Sequence, residues 1–436
     1  VDARFIILSN GIVHYLWDLI KGNPKPIYKF PSPKEIGAIK EWNPDRESLA
    51  NEPVENDFIA IVQMPEYLER PEWNGNVESS KDFIWNNGLR FLRKYQLDAI
   101  KHLQKAVSDG KDRFLFEMAT GTGKTLVSAG VIRLFLRTQN ARRVLFLVDR
   151  LELEDQAWKA FTNYLKPDYS TFIYKEHKSD WHKADIVVTT IQSLMFDNKY
   201  RYEFTPTDFD LIISDESHRS ISGNARAVFE YFHGYKLGLT ATPKDYLKGV
   251  DPDKVKENDP REIERRMLRD TYATFGCEGG DPTYRYSLLD GVKDGFLINP
   301  KVIDARTEIT TQLLSDEGYS VAMTTEEGEE TETFVSRDFE KKFFSEKTNR
   351  VFCKTFLENA FRDPITKELG KTIVFAVSQN HARKITEIFN EFAEQLYPNK
   401  YNSDFAVQVT SQVGEAQQMT INFTNNNLNG KTTWLE

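Results

Sequence analysis

An α/β fold built on parallel sheets is predicted for this chain, and three observations predict it. Strand and helix signals alternate from Leu92 to about Tyr246, the pattern of sheets whose strands are joined by crossover helices. Within that block the apolar segment RFLFEMA (113–119) runs through a glycine-rich turn into TLVSAGVIRLFLR (125–137), a helix so apolar that most of its surface must be covered. A second α/β region follows from about Tyr286, with PKVIDA and KTIVFAV as strands and ARKITEIFNEFAEQL as a helix.

Taken in order, residues 1–20 read as two apolar strands joined at Ser9-Asn10-Gly11, because Asn-Gly accepts the positive φ of a tight hairpin. A lone hairpin does not make a stable domain, so it is expected to be the trailing edge of a larger one. Residues 21–85 are proline-rich with little sustained periodicity and read as a linker or docking segment. Residues 86–250 hold the main alternation: RKYQLDAIKHLQKAV helix, RFLFEM strand, TLVSAGVIRLFLR helix, RRVLFLVD strand, LELEDQAWKAFTNYL helix, DIVVTT strand, FDLIISDE strand, ARAVFEYF helix and KLGLTAT strand. Residues 251–285 are charged and end in CEGGDP, a helical insert or linker, and 286–436 form the second region. Inside it TTEEGEETET (324–333) is an acidic, threonine-rich stretch expected to be a solvent-exposed loop.

Length and composition bound the function. A chain of 436 residues suggests two to four domains, and 40% apolar content suffices for large cores. No apolar run approaches the roughly 18 residues that span a bilayer, and the start shows no basic-then-apolar signal pattern, so no membrane role and a cytoplasmic location are expected. Cys277 and Cys353 stand far apart in no paired motif, which argues against a disulfide framework or a zinc site. A net charge of −9 argues against a surface coated in nucleic acid, yet leaves room for a local basic groove.

The chemistry centres on FEMATGTGKT (116–125). Gly121 and Gly123 let the backbone of Thr120, Gly121, Thr122 and Gly123 curl so that its N–H groups face phosphate oxygens. Lys124 reaches the β- and γ-phosphates, and the Thr125 hydroxyl suits Mg²⁺. The pattern departs from the usual one at Met118, where a first glycine is common. Asp215 and Glu216 close the strand in FDLIISDESH, where an open parallel sheet has its ligand crevice. Asp215 is suited to hold Mg²⁺, and Glu216 to orient or deprotonate the water attacking a γ-phosphate. Gln96 has the donor and acceptor to pair with adenine N6 and N7, although glutamine is also an ordinary helix residue. Thr240 and Thr242 in GLTATP are placed to link the phosphate site to a neighbouring surface, or form a plain strand exit.

Gln96, GTGKT, LFLVDRLELEDQ, VVTTIQS, DESH and GLTATP occur here in the order found in superfamily 2 helicases and translocases. FEMATGTGKT, VDRLELEDQAWKAF, TTIQSL, SDESHRS, GLTATPKDYL and YRYSLLDGVKDGFL closely resemble the motor of the restriction subunit of type I restriction-modification enzymes, across roughly residues 85 to 436. The resemblance implies two RecA-like P-loop domains in tandem, 86–250 and an incomplete 286–436, preceded by a hairpin remnant of a nuclease domain. It implies ATP and Mg²⁺ as cofactors, translocation along double-stranded DNA, and methyltransferase and specificity subunits as partners. By the same resemblance Asp149, Arg150, Thr189, Thr190, Gln192 and Ser193 sit near the DNA track, while His218, Thr240 and Thr242 couple ATP state to motion. A strand-separating repair helicase, or a nucleotide-binding module with little turnover, are the competing readings.

Two absences shape the expectation. Such motors take an arginine from a QxxGRxxR-like segment of the second domain, and no such segment occurs; Arg383 is the last arginine. Loss of an arginine finger costs about 10³ to 10⁵ in turnover, so ATP binding with poor hydrolysis is expected. A nuclease would need a PD…(D/E)xK constellation. The one match, Pro167-Asp168 with Glu176-His177-Lys178, lies inside the motor block where a separate nuclease fold has no room, which places the nuclease residues outside this chain.

Overall fold

Three short strands open the chain: β1 (Phe5–Ser9), β2 (His14–Asp18) and β3 (Lys25–Ile27), antiparallel in the order β1-β2-β3. The Asn10 side chain accepts from the Val13 N–H at 2.8 Å and Gly11 takes φ +89°, so the Asn-Gly turn forms as its chemistry dictates. The computed structural model describes residues 4–11, 13–19, 24–27, 30–33, 36–37, 42–220, 224–245, 270–301, 346–410 and 416–424. Two compact units divide the chain, Val1–Asn299 and Pro300–Glu436.

Part of the 21–85 stretch packs into the first unit. Helix α1 (Arg46–Asn51) buries Leu49, which joins Val54, Phe58 and Ile59 in the main core, and α2 (Val77–Asn87) buries Phe83 in a smaller cluster. Asn140 Nδ2 donates to the Asp45 carbonyl at 2.8 Å, and Gln104 Nε2 donates to the Leu49 carbonyl at 3.0 Å.

The remaining strands form one seven-stranded sheet, parallel throughout: β4 (Arg113–Met118), β5 (Val144–Val148), β6 (Thr171–Ile173), β7 (Ile186–Thr190), β8 (Leu211–Ser214), β9 (Tyr235–Thr240) and β10 (Tyr284–Tyr286). Their order is β10-β4-β9-β8-β5-β7-β6. Successive side chains of a strand point to opposite faces, so both faces must be covered for such apolar strands. Val144, Phe146 and Val148 of β5 enter one core and Leu145 and Leu147 the other; Leu211 and Ile213 of β8 divide from Ile212 in the same way. Each buried Leu, Ile, Val or Phe contributes about 1.5–3 kcal/mol.

Helices α3 (Lys94–Ser108), α4 (Lys124–Arg137) and α5 (Leu151–Leu165) cover the first face. In α3, Tyr95, Ala99, Ile100, Leu103 and Val107 recur at helical spacing and are buried. A Cβ on Gly130 of α4 would lie 2.8 Å from Ile100 Cδ1, so glycine is what lets α3 and α4 approach. On the second face α6 (Ile191–Met195) and α7 (Asn224–Tyr231) pack with Phe209, Phe232 and Phe275. The first unit closes with α8 (Leu288–Lys293). The parallel α/β sheet and the antiparallel hairpin expected from sequence are both present. Strands β6 and β10 are too short to give a sequence signal, and Tyr284–Tyr286 lies in the first sheet although the sequence placed this stretch at the approach to the second region.

In the second unit α9 (Glu346–Asn359), α10 (Gln379–Leu396) and α11 (Ala416–Thr424) are described, and Cys353, Leu357, Val374, Ile385, Phe389 and Phe405 form its core. Segment 371–377, KTIVFAV, carries no strand, against expectation. A strand exists only through a ladder partner, and none stands beside it among the described residues. PKVIDA beyond Lys301, the acidic stretch 324–333 and most of 251–285 lie outside the described residues.

Candidate functional site

The turn after β4 has the conformation its glycines permit. Gly121 and Gly123 sit at φ +84° and +76°, left-handed values that L side chains resist. Space adds a second reason: a Cβ on Gly123 would stand 2.7 Å from Gln96 Nε2, and one on Gly121 would stand 3.2 Å from Leu297 Cδ2. Thr120, Gly121 and Gly123 are exposed, whereas Thr122 is buried with its hydroxyl donating to the Ala119 carbonyl at 2.6 Å. Lys124 and Thr125 open α4, where the first N–H groups have no carbonyl within the helix to take them. The outcome is a concave run of donors at a helix N-terminus that continues from a strand.

Gln96 lies beside the turn. Its amide donates to the Thr122 carbonyl at 3.0 Å and accepts from the Arg93 N–H at 2.9 Å, and the residue is 2% exposed. Both ends of the carboxamide brace the turn. Tyr95 adds a second brace, its hydroxyl donating to the same carbonyl at 2.9 Å.

The acidic pair lies two strands away. Because β9 separates β4 from β8, the ends of these three neighbours carry the cradle, the Thr240 segment and Asp215-Glu216. Burial first, and the Glu216 charge second, push the Asp215 carboxyl above its ordinary value of 3.8. Glu216 takes φ +45°, a conformation that costs a non-glycine residue of order 1–2 kcal/mol and points its carboxylate back toward the cradle. There Lys124 Nζ stands 3.7 Å from Glu216 Oε1. His218 Nδ1 lies 2.9 Å from Thr240 Oγ1 and 3.4 Å from Glu216 Oε2, and the Thr242 N–H donates to Thr240 Oγ1 at 3.1 Å. Lys124, Glu216, His218, Thr240 and Thr242 thus form one connected set.

A largely buried carboxylate disfavoured in its charged form, beside a second carboxylate, suits a divalent cation. Among the described residues no set of three or more His, Cys, Asp or Glu side chains gathers there.

The candidate nucleic-acid residues separate into two groups. Arg150 is exposed, with Nε 3.7 Å from Asp149 Oδ2, and Gln192 is exposed at the start of α6. Thr189 and Thr190 are buried at 0% and 2% exposure. Thr190 caps α6: its hydroxyl accepts from the Ser193 N–H at 3.2 Å and lies 2.7 Å from Ser193 Oγ. Sequence reasoning missed Glu154, which is fully buried and accepts the Thr190 N–H at 2.8 Å. Its other oxygen is 2.8 Å from Lys175 Nζ, an ion pair without hydrogen-bond alignment. LELEDQ reads as an amphipathic helix start, and nothing in its spacing marks the second glutamate as buried.

Residues 90–245 match the family described as type III restriction enzyme, res subunit. The chain is 28% identical over 364 residues to the type I restriction enzyme EcoAI endonuclease subunit of Escherichia coli, covering 79% of this chain and 40% of that protein. With the EcoKI endonuclease subunit of Escherichia coli K12 it shares 28% identity over 354 residues, covering 73% and 27%. The chain therefore spans less than half the length of either relative. A solved fragment described as an HsdR subunit of a type I restriction enzyme from Vibrio vulnificus YJ016 matches at TM-score 0.51 and 24% identity, covering 99% of this chain and 65% of that one, a likeness of fold. Among the described residues no helix is long and apolar enough to cross a membrane. With the parallel sheet and the order of motifs along it, these matches show a chain similar to the endonuclease subunits of type I restriction enzymes.

Proposed function

We propose that this chain is the ATP-dependent double-stranded DNA translocase motor of a type I restriction endonuclease, with cleavage falling to a nuclease domain N-terminal to the motor. The observation that carries the reading is the adjacency of β4, β9 and β8, which sets the cradle, the coupling threonine and the acidic pair side by side. Gly121, Gly123 and Lys124 bind the triphosphate, the exposed backbone donors by direction and Lys124 by charge. Thr125 and Asp215 would hold Mg²⁺, which when bound would offset phosphate charge. Glu216 orients the attacking water and takes its proton, and its link to His218 and Thr240 passes the state of the site to β9. Arg150 and Gln192 contact duplex DNA; Thr189, Thr190 and Ser193 shape the surface that presents them.

Residues 1–20 belong to the edge of the nuclease, 86–250 to the ATP-binding domain and 286–436 to its partner domain. Methyltransferase and specificity subunits, and a cytoplasmic setting, complete the reading.

Low turnover by this chain as it stands follows from its sequence, since residues 286–436 carry no QxxGRxxR-like segment. ATPase activity measured with and without duplex DNA tests both levels. Binding of ATP with weak turnover is expected; a folded chain that binds no ATP rejects the motor reading, and DNA-stimulated turnover of tens per second rejects the low-turnover one.

A further inference from the structure

The turn that would hold the triphosphate is fastened from outside by a segment none of the site assignments includes. β10 pairs in parallel with β4, Tyr286 opposite Met118, and the ladder runs one residue further because the Ala119 N–H donates to the Tyr286 carbonyl at 3.0 Å. Met118, at the position where a glycine commonly opens such a turn, is fully buried. The turn therefore begins from a locked strand. Glu117 Oε2 strengthens the seam, accepting from Arg285 Nε at 3.0 Å and from the Tyr272 hydroxyl at 2.9 Å.

The same segment reaches the rest of the turn. The Tyr286 ring stacks on Tyr95 with centroids 4.1 Å apart and planes 7° from parallel, and Tyr95 is the residue whose hydroxyl holds the Thr122 carbonyl. The Tyr286 hydroxyl donates to Asp294 Oδ2 at 2.9 Å. After α8 the Gly291 carbonyl accepts from the Phe296 and Leu297 N–H groups at 2.8 and 2.9 Å, which turns the chain back and lays Leu297 against Gly121. The beginning, middle and end of the turn are each touched by this strap: Ala119 by the Tyr286 carbonyl, Gly121 by Leu297, and Thr122 through Tyr95.

We propose that Tyr286 and Leu297 are positioning residues for triphosphate binding, holding the turn 119–123 in the shape that leaves the N–H groups of Thr120, Gly121 and Gly123 aimed at phosphate. The inference rests on the ATP reading above. Donors displaced by about 1 Å lose on the order of 10²-fold in such sites, so loosening the strap weakens ATP binding without removing any group that touches ATP.

Tyr286→Ala, Tyr286→Phe and Leu297→Ala are compared with the unsubstituted chain by titration with a fluorescent ATP analogue and by steady-state ATPase with duplex DNA. Tyr286→Ala is expected to raise Kd and KM for ATP about tenfold or more while kcat changes by less than about threefold. Tyr286→Phe keeps the stack and stays within about twofold, and Leu297→Ala falls between, at about three- to fivefold. Melting curves show that the variants are folded; should Tyr286→Ala fail to fold, Leu297→Ala alone carries the test. ATP affinity within about twofold of the parent for the folded alanine variants overturns the proposal, as does a Tyr286→Phe loss equal to that of Tyr286→Ala. Failure of the unsubstituted chain to bind ATP overturns the ATP reading itself, and is seen before any substitution is made.

Discussion

Strand ends of the same sheet treat their polar residues in two opposite ways. At β4 and β8 the chain holds costly conformations: two glycines in left-handed backbone, Glu216 at φ +45°, and a largely buried Asp215 whose charged form is disfavoured. At β7 the polar groups are consumed internally, Thr190 as a helix cap and as donor to Glu154, and Thr189 with no exposed surface. Motif residues that read alike in sequence therefore do different work. Left-handed backbone gathers at the ends that carry the cradle and the acidic pair, and buried hydrogen bonding at the end that caps a helix.

The comparison is broken or sharpened by substitution on each side. The largest effect is expected at Glu216→Gln, which leaves ATP affinity near that of the parent and lowers turnover by about 10² to 10⁴. Lys124→Ala should instead lose affinity, and equal loss of binding in both variants would show that the roles are assigned wrongly. Next comes Glu154→Ala, which strands the buried Thr190 N–H; a loss of about 1–3 kcal/mol in urea unfolding is expected. Thr190→Ala removes a cap and should cost about 1 kcal/mol, whereas the exposed Gln192→Ala should leave stability unchanged and weaken duplex binding. If Thr190→Ala weakened DNA binding with stability intact, the division between the two ends would fail.

The smallest effect is one of pH. Burial raises the folded Asp215 carboxyl above 3.8, so the folded chain binds that proton more tightly than the unfolded one. The group's favourable contribution is present below the unfolded value and disappears as pH rises through the folded one. Asp215→Asn should therefore raise the melting temperature at neutral pH, by an amount that shrinks as the pH falls toward 3.8. A gain that grew on acidification would contradict the burial argument.

Sequence was most informative where one physical demand dominated. The alternation of apolar strands and helices follows from a sheet covered on both faces, and the GTGKT turn from positions that only glycine fills, so both were legible. Gln96 was legible as a neighbour of the turn, whereas its hold on the Thr122 carbonyl was not, because the same carboxamide serves a base edge or a backbone carbonyl equally well. Helix α1 was hidden by its brevity: six residues between prolines show no period, and its anchoring depends on Asn140 and Gln104 far along the chain. Glu154 was illegible for a related reason, since its burial is imposed by Lys175 and Thr190, which only the fold brings near.

The order of three strands also sets a gauge. Neighbouring strands lie about 4.8 Å apart, so β9 between β4 and β8 holds the backbones of cradle and acidic pair about 10 Å from each other. Only long side chains span such a gap, as Lys124 and Glu216 do at 3.7 Å. Direct pairing of β4 with β8 would halve that spacing, while one more strand would put the two side chains out of reach. The interposed strand thus sets the spacing of turn and acidic pair, and its own residue, Thr240, reaches that pair through His218.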